Sequence, residues 1–155
     1  MTPEEYKPRD FQWSQRDKRW YKKHLGKSNL ICGDDGCASL DVTYVIDRYL
    51  KSIGKPFLYP DQVIDLAIYT PDGRIYWNTV DKITKGAVIH TYNSKEANYT
   101  LRQVQWGPYY QHWVVKLGTL KDNLCYNSWP LVRQIEFFAR PEWEPTGREI
   151  YYKIT

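Results

Sequence analysis

The chain is expected to fold as an α+β domain, with N-terminal helices packed on a C-terminal antiparallel β-sheet. Three observations predict this. Apolar residues in the first half recur at spacings of three and four, the period of one helix face. From Ala87 onward the period falls to two, in runs rich in β-branched and aromatic residues. Helical and strand segments come in blocks and do not alternate, which favours α+β over a doubly wound sheet. The 155 residues fit one domain, residues 1–155, long enough to bury a core without staples.

Residues 1–9 read as a loose arm, and 11–26 as a short helix or turn closed by Gly26. Ile31-Cys32-Gly33-Asp34-Asp35-Gly36 reads as a turn, the setting in which glycine and aspartate dominate. A helix starts at Cys37. Ala38, Val42, Val45, Ile46, Tyr49, Leu50 and Ile53 form its apolar face, and Gly54-Lys55-Pro56 stops it. Residues 60–68 read as a second helix with Pro60 near its start, 69–73 as a turn, and 76–83 as a third short helix. Strands are expected at 87–92, 99–106, 110–117, 123–127, 134–139 and 149–154, with Gly107-Pro108 and Gly118 as breaks. There is no internal repeat, linker or low-complexity segment, and no apolar run long enough to span a membrane.

The formal net charge of +4 fits weak attraction to polyanions, including nucleic acids, acidic membranes and anionic cell-wall polymers. Arg16, Lys18, Arg19, Lys22 and Lys23 cluster, either as a phosphate-contacting patch or as a solvated face. No nucleic-acid-binding motif accompanies them, so no nucleic-acid partner is expected. Three cysteines are an odd number and argue against a disulfide framework. With the polar, acidic start Met1-Thr2-Pro3-Glu4-Glu5-Tyr6-Lys7, which is no secretory signal, they give the expectation of cytoplasmic synthesis. Seven Trp, 14 Tyr and four Phe suit half-buried strands, and equally the walls of a groove that grips a sugar or peptide.

Cys37 stands in the first turn of its helix, where unpaired N–H groups and the dipole favour a thiolate. It also lies about a quarter turn off the apolar stripe, able to face a groove. A small buried hydrophobe is the other reading of such a cysteine. A nucleophile needs a base, and the base an orienting partner. Of the three histidines, His24 lies in a lysine-rich stretch, while His90 and His112 lie on expected strands. The strand starting at His112 and the next one, ending in Asn127-Ser128-Trp129, can form a hairpin that sets His112 beside Asn127. The Asn127 oxygen can then accept the ring N–H, and Trp129 can cover that bond from water. A core histidine satisfied by its neighbour fits the same spacing. A zinc site from Cys32, Cys37, Cys125 and a histidine lacks the close ligand pairs of structural zinc, so no metal or cofactor is expected. Cys32 and Cys125 read as buried bystanders.

Together, Gln15-Arg16-Asp17-Lys18-Arg19-Trp20, Gly36-Cys37-Ala38, His112-Trp113-Val114-Val115 and Asn127-Ser128-Trp129 resemble the motifs of C39-like cysteine peptidases, within the papain-like superfamily. The likeness runs from about Phe11 to Trp129. It implies a papain-like fold with Cys37 as nucleophile, His112 as general base and then acid, and Asn127 orienting His112. It implies Gln15 as oxyanion donor beside the Cys37 backbone N–H. Gln12 is the rival for that role but lacks Asp and Trp at the matching offsets. Many C39-like members carry Asp where this chain has Asn127, as in papain-like enzymes proper. Asp34 and Asp35 oppose a thiolate if they point inward; they are expected to point outward or cap the helix.

The function expected from this resemblance is a thiol-dependent endopeptidase, in first place an endolysin-like enzyme that cuts peptidoglycan peptides after release to the cell wall. The alternatives are a leader-peptide processing protease and a non-catalytic binding domain on the same fold. Trp106, Tyr110, Trp113 and Trp129, with Tyr109, are the candidate groove aromatics. A monomer is expected, with a peptide or peptidoglycan stem or cross-bridge as its partner.

Overall fold

A computed structural model describes residues 12–108, 110–117, 124–131, 134–137 and 143–155. The expected arm 1–9, Phe11, Tyr109, Gly118, Asn123 and residues 138–139 lie outside these. The architecture is α+β. Among the described residues four α-helices come first, α1 (Cys32–Asp35), α2 (Cys37–Ser52), α3 (Pro60–Leu66) and α4 (Thr79–Ile83). Six strands follow: β1 (Val88–Thr91), β2 (Tyr99–Trp106), β3 (Tyr110–Leu117), β4 (Leu124–Tyr126), β5 (Ile135–Phe137) and β6 (Trp143–Ile154). They form one sheet in the order β1-β6-β2-β3-β4-β5, and its pairings are antiparallel. Among the described residues no helix is long and apolar enough to cross a membrane.

The helix α2 is the central element. Val42, Val45 and Ile46 are buried against the face of the sheet that carries Leu101, Trp113, Val115, Leu124 and Tyr126. Each such side chain contributes about 1.5–3 kcal/mol when fully buried. Tyr44 stacks on Tyr126 with ring centroids 4.5 Å apart, fixing α2 over β4. The Tyr126 hydroxyl in turn donates to the Trp13 carbonyl and ties the N-terminal segment to the same strand. The helix ends at Ser52 because Gly54 turns into the left-handed region (φ 72°) and the Lys55 N–H closes back on the Leu50 carbonyl.

Three differences from expectation are the largest. The stretch at 31–36 is not only a turn: Cys32–Asp35 makes one helical turn, with the Asp34 and Asp35 N–H groups on the Ile31 carbonyl. The helix at 76–83 starts later, at Thr79, because the Tyr76 N–H is committed to the Ile68 carbonyl. The last strand starts at Trp143, six residues before the expected 149. Pro145 and Gly147 disguise it in the sequence. They sit at a bulge where the register slips opposite Arg102–Val104, with Gly147 at φ 88° and the Thr146 hydroxyl donating to Gln103 Oε1 at 2.9 Å.

Candidate active site

Gly36 is what allows Cys37 to begin α2. A Cβ there would lie 2.4 Å from the Cys32 carbonyl oxygen and 2.7 Å from its sulfur, so only glycine fits between the two helices. Cys37 then meets β3 on both sides of His112. The backbone N–H of Trp113 points at its sulfur, as does that of Ala38, and the Tyr110 phenol lies within its field.

The helix N-terminus alone does not make Cys37 acidic. Only 6% of the residue is exposed, and burial pushes its thiol up to about 12. The Asp41 carboxylate, one turn further along, and Asp35 act in the same direction, against the two N–H groups. Asp41 is fully buried, and its oxygens have no hydrogen-bond partner among the described residues. Burial raises it well above the carboxylate range, and burial is likewise the first force on the thiol. An anionic Cys37 therefore needs a cation beside it. Asp35 keeps one part of the expectation and departs from another. It is exposed, as expected, but it also lines the cavity next to Cys37, and burial followed by the Asp34 charge raises its carboxyl. Asp34 does face solvent, where it accepts the Tyr21 hydroxyl at 2.9 Å.

His112 is fully buried on β3, and its Nε2 lies 2.7 Å from Asn127 Oδ1. An amide oxygen only accepts, so Nε2 carries the proton and Nδ1 is the basic nitrogen. The Trp129 N–H donates to the same Oδ1 at 3.1 Å, which holds the amide in that orientation. Register explains the meeting: Val115 opposes Tyr126, so Asn127 continues β4 to the diagonal neighbour of His112. The rings against His112 are Trp106 (5.4 Å), Trp143 (5.9 Å) and Tyr110 (6.2 Å). The Trp129 ring packs on Trp106 and Tyr110, two of the rings against His112, and its backbone N–H serves the pair.

Gln15 is fully buried and held from several sides. Its backbone N–H donates to the Ser128 carbonyl at 2.8 Å, and the Ser128 hydroxyl donates back to Oε1 at 2.7 Å. Its Nε2 donates to the Gly33 carbonyl at 3.3 Å, and its amide also reaches the Tyr110 hydroxyl. Trp20 anchors the loop by donating its indole N–H to the Ser14 carbonyl at 2.7 Å. The Asp17 carbonyl accepts the Trp20 and Tyr21 N–H groups, which gives the Gln-x-Asp-x-x-Trp spacing its physical basis. Ser128 and the contact of Tyr110 with this loop escape the sequence reading. The one available signal is the position of Ser128 directly after Asn127.

The four candidate groove aromatics do not share one groove. Trp106, Tyr110 and His112 lie on one face of the β2–β3 pair, and Trp129 joins them. Trp113 lies on the other face, edge-on to Trp77 at 4.9 Å. Strand alternation separates them. Cys32 and Cys125 are buried and unlinked; the Cys32 thiol donates to the Gln15 carbonyl at 3.8 Å. Among the described residues no group of three His, Cys, Asp or Glu side chains gathers to hold a metal. Comparison of the chain with family models, curated proteins and solved structures finds no match.

Proposed function

We propose that the chain is a papain-like, C39-like cysteine peptidase acting through Cys37, His112 and Asn127. The observation that carries this reading is the 2.7 Å contact between His112 Nε2 and Asn127 Oδ1, which makes Nδ1 the basic nitrogen. In this mechanism His112 Nδ1 takes the Cys37 thiol proton and the sulfur attacks the scissile carbonyl carbon. The carbonyl electron pair moves to its oxygen, which receives N–H donors from Gln15 and the Cys37 backbone. His112 returns its proton to the leaving amine. Water, deprotonated by His112, then cleaves the thioester, releasing the acid and restoring the thiol. The high thiol pKa is consistent with this scheme, because the imidazolium formed by the transfer is the cation that a buried thiolate requires.

The substrate class we propose is peptidoglycan peptide, as in endolysin-like enzymes. The basic rim of Arg16, Lys18 and Lys22 beside the Gln15 loop suits an anionic wall polymer. The test is incubation with purified cell walls and with ordinary peptides, read by mass spectrometry. New amine termini from walls, absent with Cys37→Ala, support the reading. Cleavage of peptides alone sinks the wall substrate, and cleavage of neither sinks the peptidase. The burial of Cys37 specifically favours one second reading, a non-catalytic binding domain that keeps the constellation as packing.

A further inference from the structure

Beside Cys37 lies a cavity of about 290 Å³, and its wall is rich in hydrogen-bond donors. Trp77 and Trp113 line it, and the Arg148 guanidinium lies over the Trp113 ring, 5.4 Å from its centroid. The bulge at Gly147 puts Arg148 there. Gln103 and Gln111 line the same wall. The Thr146 hydroxyl occupies Gln103 Oε1 at 2.9 Å, and Gln103 Nε2 donates to Gln111 Oε1 at 3.4 Å. This chain of donors uses the Gln111 oxygen and leaves its NH₂ group to serve the cavity. Arg74 also lines the cavity, with its charge shared with Asp72 at 3.2 Å. Among the described residues no carboxylate forms an ion pair with Arg148. Asp35 also lines the cavity.

We infer that this cavity is a subsite for a carboxylate on the substrate, bound by Arg148 and the Gln111 amide; this rests on the peptidase reading of Cys37. A guanidinium stacked on an indole keeps its outer N–H groups for a planar anion, and an amide NH₂ adds a second direction. The two indoles accept the apolar stem of the residue that bears the carboxylate.

Two alkylating reagents test the subsite. Iodoacetate and iodoacetamide share the same electrophilic carbon and differ in carboxylate against amide. Their rate ratio at Cys37 cancels the thiolate fraction. The folded protein is expected to show a ratio about tenfold above that of Cys37 in the urea-unfolded chain, the equivalent of one charge-assisted contact. Arg148→Ala should return the ratio to the unfolded value, and Arg148→Lys should keep part of the gain. A folded ratio equal to the unfolded one, unmoved by Arg148→Ala, overturns the subsite. Complete failure of Cys37 to alkylate in the folded protein overturns the nucleophile reading instead. The subsite is then read from the Trp77 and Trp113 indole N–H resonances on titration with N-acetylglutamate amide and N-acetylglutamine amide. Shifts selective for the glutamate derivative and lost in Arg148→Ala uphold it; equal shifts, or none, overturn it.

Discussion

Gln15 and Ser128 hold each other: the Gln15 N–H donates to the Ser128 carbonyl at 2.8 Å, and the Ser128 hydroxyl donates to Gln15 Oε1 at 2.7 Å. The two residues are far apart in sequence, and their clip joins the loop before α1 to the segment that carries Asn127. Ser128→Ala leaves Gln15 Oε1 without that donor and its amide free to turn. The expected outcome is a fall in kcat of about tenfold with little change in KM, since a mispositioned donor weakens the transition state. Steady-state kinetics with circular dichroism as a fold control checks it. An equal loss through KM alone would point to substrate contact.

Gln15→Ala removes the donor itself. The expected loss is about 100-fold in kcat, near 3 kcal/mol of barrier. Retention of full activity would transfer the oxyanion role to other groups, such as the Tyr110 hydroxyl that meets the Gln15 amide.

Gly36→Ala should destabilise the junction of α1 and α2, because the added methyl meets the Cys32 backbone at 2.4 Å. A loss on the order of 1–3 kcal/mol by urea unfolding is expected for such overpacking. A neutral effect would show that the helices part easily and that Cys37 is less firmly placed.

Asp47 shares the pH dependence of stability with the fully buried Asp41, whose carboxyl is also raised. Asp47 is buried, and burial raises its carboxyl to about 7, against hydrogen bonds from the Leu58 N–H (2.7 Å) and the Trp13 indole (3.3 Å). The folded state thus binds this proton more tightly than the unfolded chain, whose Asp titrates near 3.8. Its contribution to stability is fully present below about pH 4 and is lost as pH rises to about 7, by an amount on the order of a few kcal/mol. Urea melts across that range should fall with pH, and Asp47→Asn should flatten the fall. A stability that rises over the same range in the parent, unchanged by the substitution, contradicts this assignment.

The helix and strand periods were plain in the sequence where one face is buried. Val42, Val45 and Ile46 announce α2, and the alternation at 99–106 announces β2. The pairing of His112 with Asn127 was legible because a hairpin register brings diagonal residues together. Burial was not legible. The position of Cys37 at a helix start suggests an acidic thiol, but packing under Tyr110 and Trp113 decides its environment, and that packing comes from the tertiary fold. The start of β6 was hidden for a related reason. Pro145 and Gly147 are strand breakers in isolation, and only the bulge opposite Gln103 makes room for them. The sorting of Trp106 and Trp113 to opposite faces follows from parity once the strand register is known.

The most direct test of the account is the pH dependence of Cys37 alkylation by iodoacetamide, resolved by mass spectrometry at each cysteine, in the parent protein and in His112→Ala. The account predicts that Cys37 alone reacts fast near neutral pH, far below the value of about 12 that burial imposes on the bare thiol, and that His112→Ala moves its profile up toward that value. Slow reaction of Cys37 at neutral pH in the parent, with a profile that His112→Ala leaves unchanged, would contradict it and give the binding-domain reading the lead.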